Sequence, residues 1–120
     1  MFIPRIPEKE IIQKIKKTKK AIILYGPRQI GKTTLMESII QTLKYKTLFI
    51  NGDQEKYTDI LSSRNLQKLK NLIAGYKLLF IDEAQKIQNI GINLKIIIDN
   101  IPDLKIIATG SSSFDLANKI

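Results

Sequence analysis

The sequence contains no cysteine and no histidine. Without cysteine there is no disulfide framework and no thiolate metal site. Without histidine the commonest general base and metal ligand are gone. Any catalysis must therefore use carboxylates, lysine, arginine, hydroxyls, backbone amides or a hard metal ion. Arginine is scarce as well, with 3 against 17 lysines. No apolar run reaches the roughly 18 residues that a membrane span needs. The N-terminus, Met1-Phe2-Ile3-Pro4-Arg5, lacks the charged start, apolar stretch and small-residue cleavage site of a signal peptide. The simplest placement is cytoplasmic. At 120 residues the chain forms at most one small domain.

What is abundant is isoleucine and lysine: 24 Ile and 17 Lys, with a net charge of +9. A basic balance suits nucleic acid or an anionic surface. Here the bias runs over the whole length, which fits solvated charge better than a built groove. The one dense stretch is Lys14 to Lys20, five lysines in seven residues. DNA contact is kept as the weaker expectation.

The chain is organised around one loop, Gly26-Pro27-Arg28-Gln29-Ile30-Gly31-Lys32-Thr33. A short apolar run, Ala21 to Tyr25, precedes it, and a helical pattern from Thr34 to Leu43 follows. Strand, glycine-bounded loop and helix are the context that the pattern G-x-x-x-x-G-K-[ST] requires. From the residue frequencies an accidental match is expected at roughly 0.4%, so the loop is read as a phosphate cradle. Gly26 and Gly31 permit a backbone path that a Cβ would block. Amides from about Gln29 to Thr33 then converge on phosphate oxygens, helped by the positive end of a helix starting near Lys32. Lys32 supplies a cation for the β and γ phosphates, Thr33 a hydroxyl for Mg²⁺, and Thr34 reaches the α phosphate. Arg28 is either a nucleotide or partner contact or a solvent-facing side chain.

The remaining pattern alternates strands and helices. Strands are expected at 20–25, 46–51, 77–81 and 104–108. Helices are expected at 8–17, from the loop to Leu43, in two pieces across 53–75, and from Gly91 to Asn100. In that last helix Ile92, Leu94, Ile97, Ile98 and Ile101 are expected to face inward. Ser62-Ser63 should interrupt the 53–75 segment, with Asn65 capping its second piece and Gly75 ending it. Thr109-Gly110-Ser111 should leave the fourth strand. The pattern predicts βαβ units, a parallel sheet and an α/β fold.

Two further groups carry chemistry. Leu78-Leu79-Phe80-Ile81 runs into Asp82-Glu83, which puts two carboxylates at the tip of a buried strand, where ligands collect in open α/β sheets. Asp82 can hold a water of a Mg²⁺ ion beside Thr33, and Glu83 can orient and deprotonate an attacking water. A hydroxyl of Thr109-Gly110-Ser111 can report the state of the γ phosphate, with Ser111 favoured slightly over Thr109. The plainer reading is a Gly-Ser turn capping the next helix. Asp53, Gln85 and Lys86 are read first as structural: a strand end and a helix start.

These residues carry a resemblance. Residues 25–35 (Tyr-Gly-Pro-Arg-Gln-Ile-Gly-Lys-Thr-Thr-Leu), 80–87 (Phe-Ile-Asp-Glu-Ala-Gln-Lys-Ile) and 107–114 (Ile-Ala-Thr-Gly-Ser-Ser-Ser-Phe) resemble the motifs of AAA+-type ATPases of archaea and bacteria. The closest group has an ATPase core followed by a C-terminal domain of uncertain role, near the STAND nucleotide switches. The resemblance implies a three-layer αβα P-loop NTPase core with the fourth strand between the first and third. It implies that Asp82-Glu83 is the Walker B pair and that Ser111 or Thr109 is the sensor. It implies that the segment before the first strand helps form the adenine pocket. A fifth strand, an arginine finger, a helical lid and the C-terminal domain are expected by the resemblance but not seen, so residues 1–120 read as a partial AAA+-type ATP-binding domain. The expected function is Mg²⁺-dependent ATP hydrolysis driving a conformational switch. The alternative is a nucleotide-binding fragment or interaction module without turnover. A small kinase is the third reading, opposed by Asp82-Glu83, because a water-activating acid suits hydrolysis. The expected partners are ATP and a C-terminal domain or separate protein.

Overall fold

The computed structural model describes Gln13, residues 21–25 and residues 30–110, with backbone alone at 25 and 30–36. Four strands form one sheet: β1 (Ile22–Tyr25), β2 (Thr47–Asn51), β3 (Leu78–Asp82) and β4 (Lys105–Gly110). Their order is β1-β4-β3-β2, and every pairing is parallel. The expected position of the fourth strand between the first and third is therefore observed. Parallel strands need long crossovers, and the helices supply them. These are α1 (Ile30–Leu43), α2 (Glu55–Leu61), α3 (Leu66–Ile73) and α4 (Ile90–Asn100), with a 3-10 turn at Ala84–Lys86.

Side chains alternate across each strand and so feed two cores. Ile22, Leu24, Leu78, Phe80 and Ile107 pack with Ile39 and Leu43 of α1. On the other face, Ile23, Ile50, Leu79, Ile81 and Ile106 pack with Leu61, Leu69, Ile73, Leu94 and Ile97 from α2, α3 and α4. The result is three layers, helix, sheet and helices. Leu78 through Ile81 are all buried, which explains why β3 is apolar on both faces rather than alternating. At the outer strand β2, Phe49 stacks on Phe80 of β3 with ring centroids 4.7 Å apart and remains 42% exposed.

Several boundaries sharpen the sequence reading. Asn65 caps α3, its side-chain oxygen accepting from the Lys68 N–H at 3.0 Å, and Gly75 follows with φ 85°. Helix α1 begins at Ile30, before Lys32. Helix α4 is buried through Ile90, Leu94 and Ile97, a stripe at i, i+4 and i+7. Ile92 lies two residues from both Ile90 and Leu94, about 200° around the helix at 3.6 residues per turn, and is 44% exposed. The expectation that it faces inward is thus corrected. Ile98 and Ile101 are only partly buried. Thr109 and Gly110 belong to β4 instead of leaving it, because their ladder with β1 continues through Leu24↔Thr109 and Tyr25↔Gly110. The expected helix at 8–17 lies outside the described residues except for Gln13, which is helical.

Candidate functional site

Because all four strands run the same way, their C-terminal ends share one edge. Tyr25 is level with Gly110, and Asn51 with Asp82. Ile81 pairs with Ala108, so Asp82 comes next to Thr109. The loop that leaves β1 and enters α1 therefore starts one strand away from the tip of β3. Ile30, Gly31, Lys32, Thr33 and Thr34 form the first turn of α1, described in backbone. Gly26, Pro27, Arg28, Gln29 and Ser111 lie outside the described residues.

Thr109 organises the acids. It is 1% exposed, and its hydroxyl works in both directions: it donates to Asp82 Oδ1 and accepts from the Glu83 N–H at 3.0 Å. The hydrogen-bonding capacity of one hydroxyl thus fixes one carboxylate and the backbone of the next residue. Glu83 has left-handed backbone angles, φ 57° and ψ 45°, rare for a residue with a Cβ. This conformation ends β3 and starts the 3-10 turn. Its carbonyl accepts from the Lys86 N–H at 3.1 Å.

Gly52 completes the seat. Its N–H donates to the Asp82 carbonyl at 2.8 Å. A Cβ on Gly52 would lie 2.2 Å from the Glu83 carbonyl oxygen, so only glycine permits this approach. The turn beyond it is closed by side chains: the Asp53 N–H donates to Asn51 Oδ1, and the Asn51 N–H to Gln54 Oε1, each at 2.9 Å.

Asp53, read as a strand end, and Lys86, read as part of a helix start, meet at this edge. Lys86 Nζ lies 2.9 Å from Glu83 Oε2, 2.9 Å from Asp53 Oδ1 and 3.0 Å from Asp53 Oδ2. The Asp53 carboxylate first, then Glu83, holds the Lys86 ammonium above its ordinary pKa. Gln85, between Glu83 and Lys86 in sequence, is half-buried, with its side-chain Oε1 buried and without a hydrogen-bond partner.

The donor set suits a hard cation. Asp82 offers a half-buried carboxylate, and among the described residues no three of Asp, Glu, His and Cys form a cage. Mg²⁺ typically takes one or two carboxylates, with waters and substrate phosphates completing its shell, and the Asp82 carboxylate is a donor of that kind. Among the described residues no helix is long and apolar enough to cross a membrane.

A family model described as an AAA domain matches residues 18–120. Among solved structures, a DNA replication initiation factor aligns with a TM-score of 0.61 at 18% identity, covering 87% of this chain and 36% of that one. The replication initiator DnaA bound to AMPPCP and single-stranded DNA aligns at 0.59 and 18% identity, with the same coverages of 87% and 36%. At that identity the likeness establishes the fold, a P-loop NTPase-like αβα core. This chain spans 36% of the length of each. No curated protein matches it.

Proposed function

The chain belongs to the AAA domain family, and from that premise we propose that it binds ATP with Mg²⁺ at the tips of β1, β4 and β3 and hydrolyses it to drive a conformational switch. The observation that carries this reading is the Thr109–Asp82–Glu83 cluster, one strand away from the point where β1 hands over to the Gly26–Thr33 loop.

In this reading the amides of residues 26–33 bind the phosphates, and Lys32 balances their charge. Thr33 and Asp82 are the residues to hold Mg²⁺, which when bound neutralises phosphate charge. Glu83 takes a proton from the attacking water. Thr109 holds the Glu83 backbone while it does so, and Ser111, favoured slightly over Thr109, is the candidate to sense the γ phosphate. The seat of Glu83 matters because a general base must be held at hydrogen-bond reach of its water.

Glu83→Gln should leave ATP affinity unchanged and lower turnover by about 10²- to 10⁴-fold, the usual contribution of a general base. Equilibrium binding and phosphate release, measured on the same sample, test this. Wild-type turnover in Glu83→Gln would remove Glu83 from the reaction.

The alternative is binding without turnover by this chain alone. Among the described residues the single arginine is Arg64, at the junction of α2 and α3. An arginine that stabilises transition-state charge contributes about 10³- to 10⁵-fold, so its supply by a partner or further domain would set the rate. The single-stranded DNA held by one structural neighbour, with the basic charge of this chain, makes DNA the nucleic acid to test as a partner.

A further inference from the structure

The pairing of Lys86 with both Glu83 and Asp53 is not needed to end a strand or start a turn. We propose that Lys86 is a positioning residue for the Glu83 carboxylate, itself anchored by Asp53. This inference rests on the reading of Glu83 as the acid that activates water.

An ordinary surface ion pair contributes little, since two long side chains must be ordered in water for one contact. Three features separate this group from that case. The first is that both acids are fixed by their backbones. The Asp53 N–H is held by Asn51 Oδ1, and the Glu83 N–H by Thr109 Oγ1. The second is burial of the working end. The Glu83 side chain is 11% exposed, against 36% for Lys86 and 56% for Asp53. The third is the shape of the contact. The ammonium is within 3.0 Å of both Asp53 oxygens and 2.9 Å from Glu83 Oε2, so one cation bridges the two carboxylates.

Lys86 stands three residues after Glu83, at the end of the 3-10 turn, so its chain reaches back over that turn to the carboxylate. Asp53 is the only member of the triad from another strand. It comes from the turn after β2, 33 residues from Lys86 in sequence. Lys86 therefore ties the orientation of the Glu83 carboxylate to the turn at 51–54. Pinning the backbone does not by itself orient the carboxylate, and the ammonium restricts the Glu83 side-chain torsions. Misplacement of a catalytic group by about 1 Å can cost on the order of 100-fold in rate, so such a restraint has a measurable consequence.

The test uses the full chain and four variants: Lys86→Met, which keeps length and removes charge, Lys86→Arg, Asp53→Asn, and the double variant Asp53→Asn/Lys86→Met. Lys86→Met is expected to bind a non-hydrolysable ATP analogue within about twofold of wild type and to lose about tenfold or more in kcat. Lys86→Arg, which can span both carboxylates, is expected to restore most of that loss. Asp53→Asn is expected to lose less than Lys86→Met and to add nothing in the double variant, because residues acting through one contact are non-additive. A second readout needs no turnover. In the nucleotide-free chain the Lys86 Nζ nitrogen resonance should shift in both Glu83→Gln and Asp53→Asn. A resonance that Glu83→Gln leaves in place overturns the proposal, whatever the rate. Wild-type kcat in Lys86→Met, with turnover still dependent on Glu83, overturns the proposal alone. Wild-type turnover in Glu83→Gln overturns both it and the reading beneath it.

Discussion

At the scale of single residues, Thr109 shows how much one buried hydroxyl can fix. It accepts from the Glu83 N–H and donates to Asp82, joining the tip of β4 to the tip of β3. Thr109→Val keeps the shape and removes both bonds. The Glu83 N–H would then be buried without an acceptor, at a cost of about 1–3 kcal/mol. Urea unfolding of the two proteins measures this. Equal midpoints would mean that the amide finds another acceptor and that the hydroxyl is not its anchor. The acids at 82 and 83 were legible from sequence, since a run of apolar residues ending in two carboxylates has one natural place in a parallel sheet. Their supports were not. Thr109 is 27 residues from Asp82, and Asp53 is 33 from Lys86. Only the register of β3 against its two neighbours brings them together. Gly52 directly follows the strand expected at 46–51, but its close approach to the Glu83 carbonyl depends on the left-handed turn there.

At the scale of elements, the junction between α2 and α3 is tied to α4 by one side chain. Asn93 is fully buried; its Oδ1 accepts from the Arg64 N–H and its Nδ2 donates to the Asn89 carbonyl, both at 2.8 Å. Arg64 and Asn89 both have left-handed backbones, φ 54° and 59°, so the side chain stitches together two tight turns. Asn93→Leu fills similar space and takes the acceptor from the Arg64 N–H, while the Asn89 carbonyl keeps the backbone N–H of residue 93, so the loss is that of one part-buried hydrogen bond, about 0.5–1.5 kcal/mol. Amide hydrogen exchange should quicken at Arg64 in this variant. Unchanged exchange and an unchanged unfolding midpoint would contradict the assignment. The ends of α3 were well marked by Asn65 and Gly75. The face of α4 was not, because isoleucine at 90, 92, 96, 97 and 98 supplies apolar side chains all round, and periodicity alone cannot choose the buried stripe.

At the scale of the whole molecule, the order β1-β4-β3-β2 decides what can meet. Placing β4 between β1 and β3 sets Thr109 between the strand that feeds the phosphate-binding loop and the strand that carries the acids. Parallel strands and their crossovers were readable from the alternation of apolar runs with helical patterns. The strand order came from resemblance, since hydrophobic pattern carries no information on neighbours. The central claim is that this edge binds ATP through the 26–33 loop, and calorimetric titration with a non-hydrolysable ATP analogue tests it most directly. Wild type should bind in the presence of Mg²⁺ and weaken when Mg²⁺ is chelated, while Lys32→Ala, folded to the same extent by circular dichroism, should show no saturable binding. Equal affinity in wild type and Lys32→Ala would contradict the account.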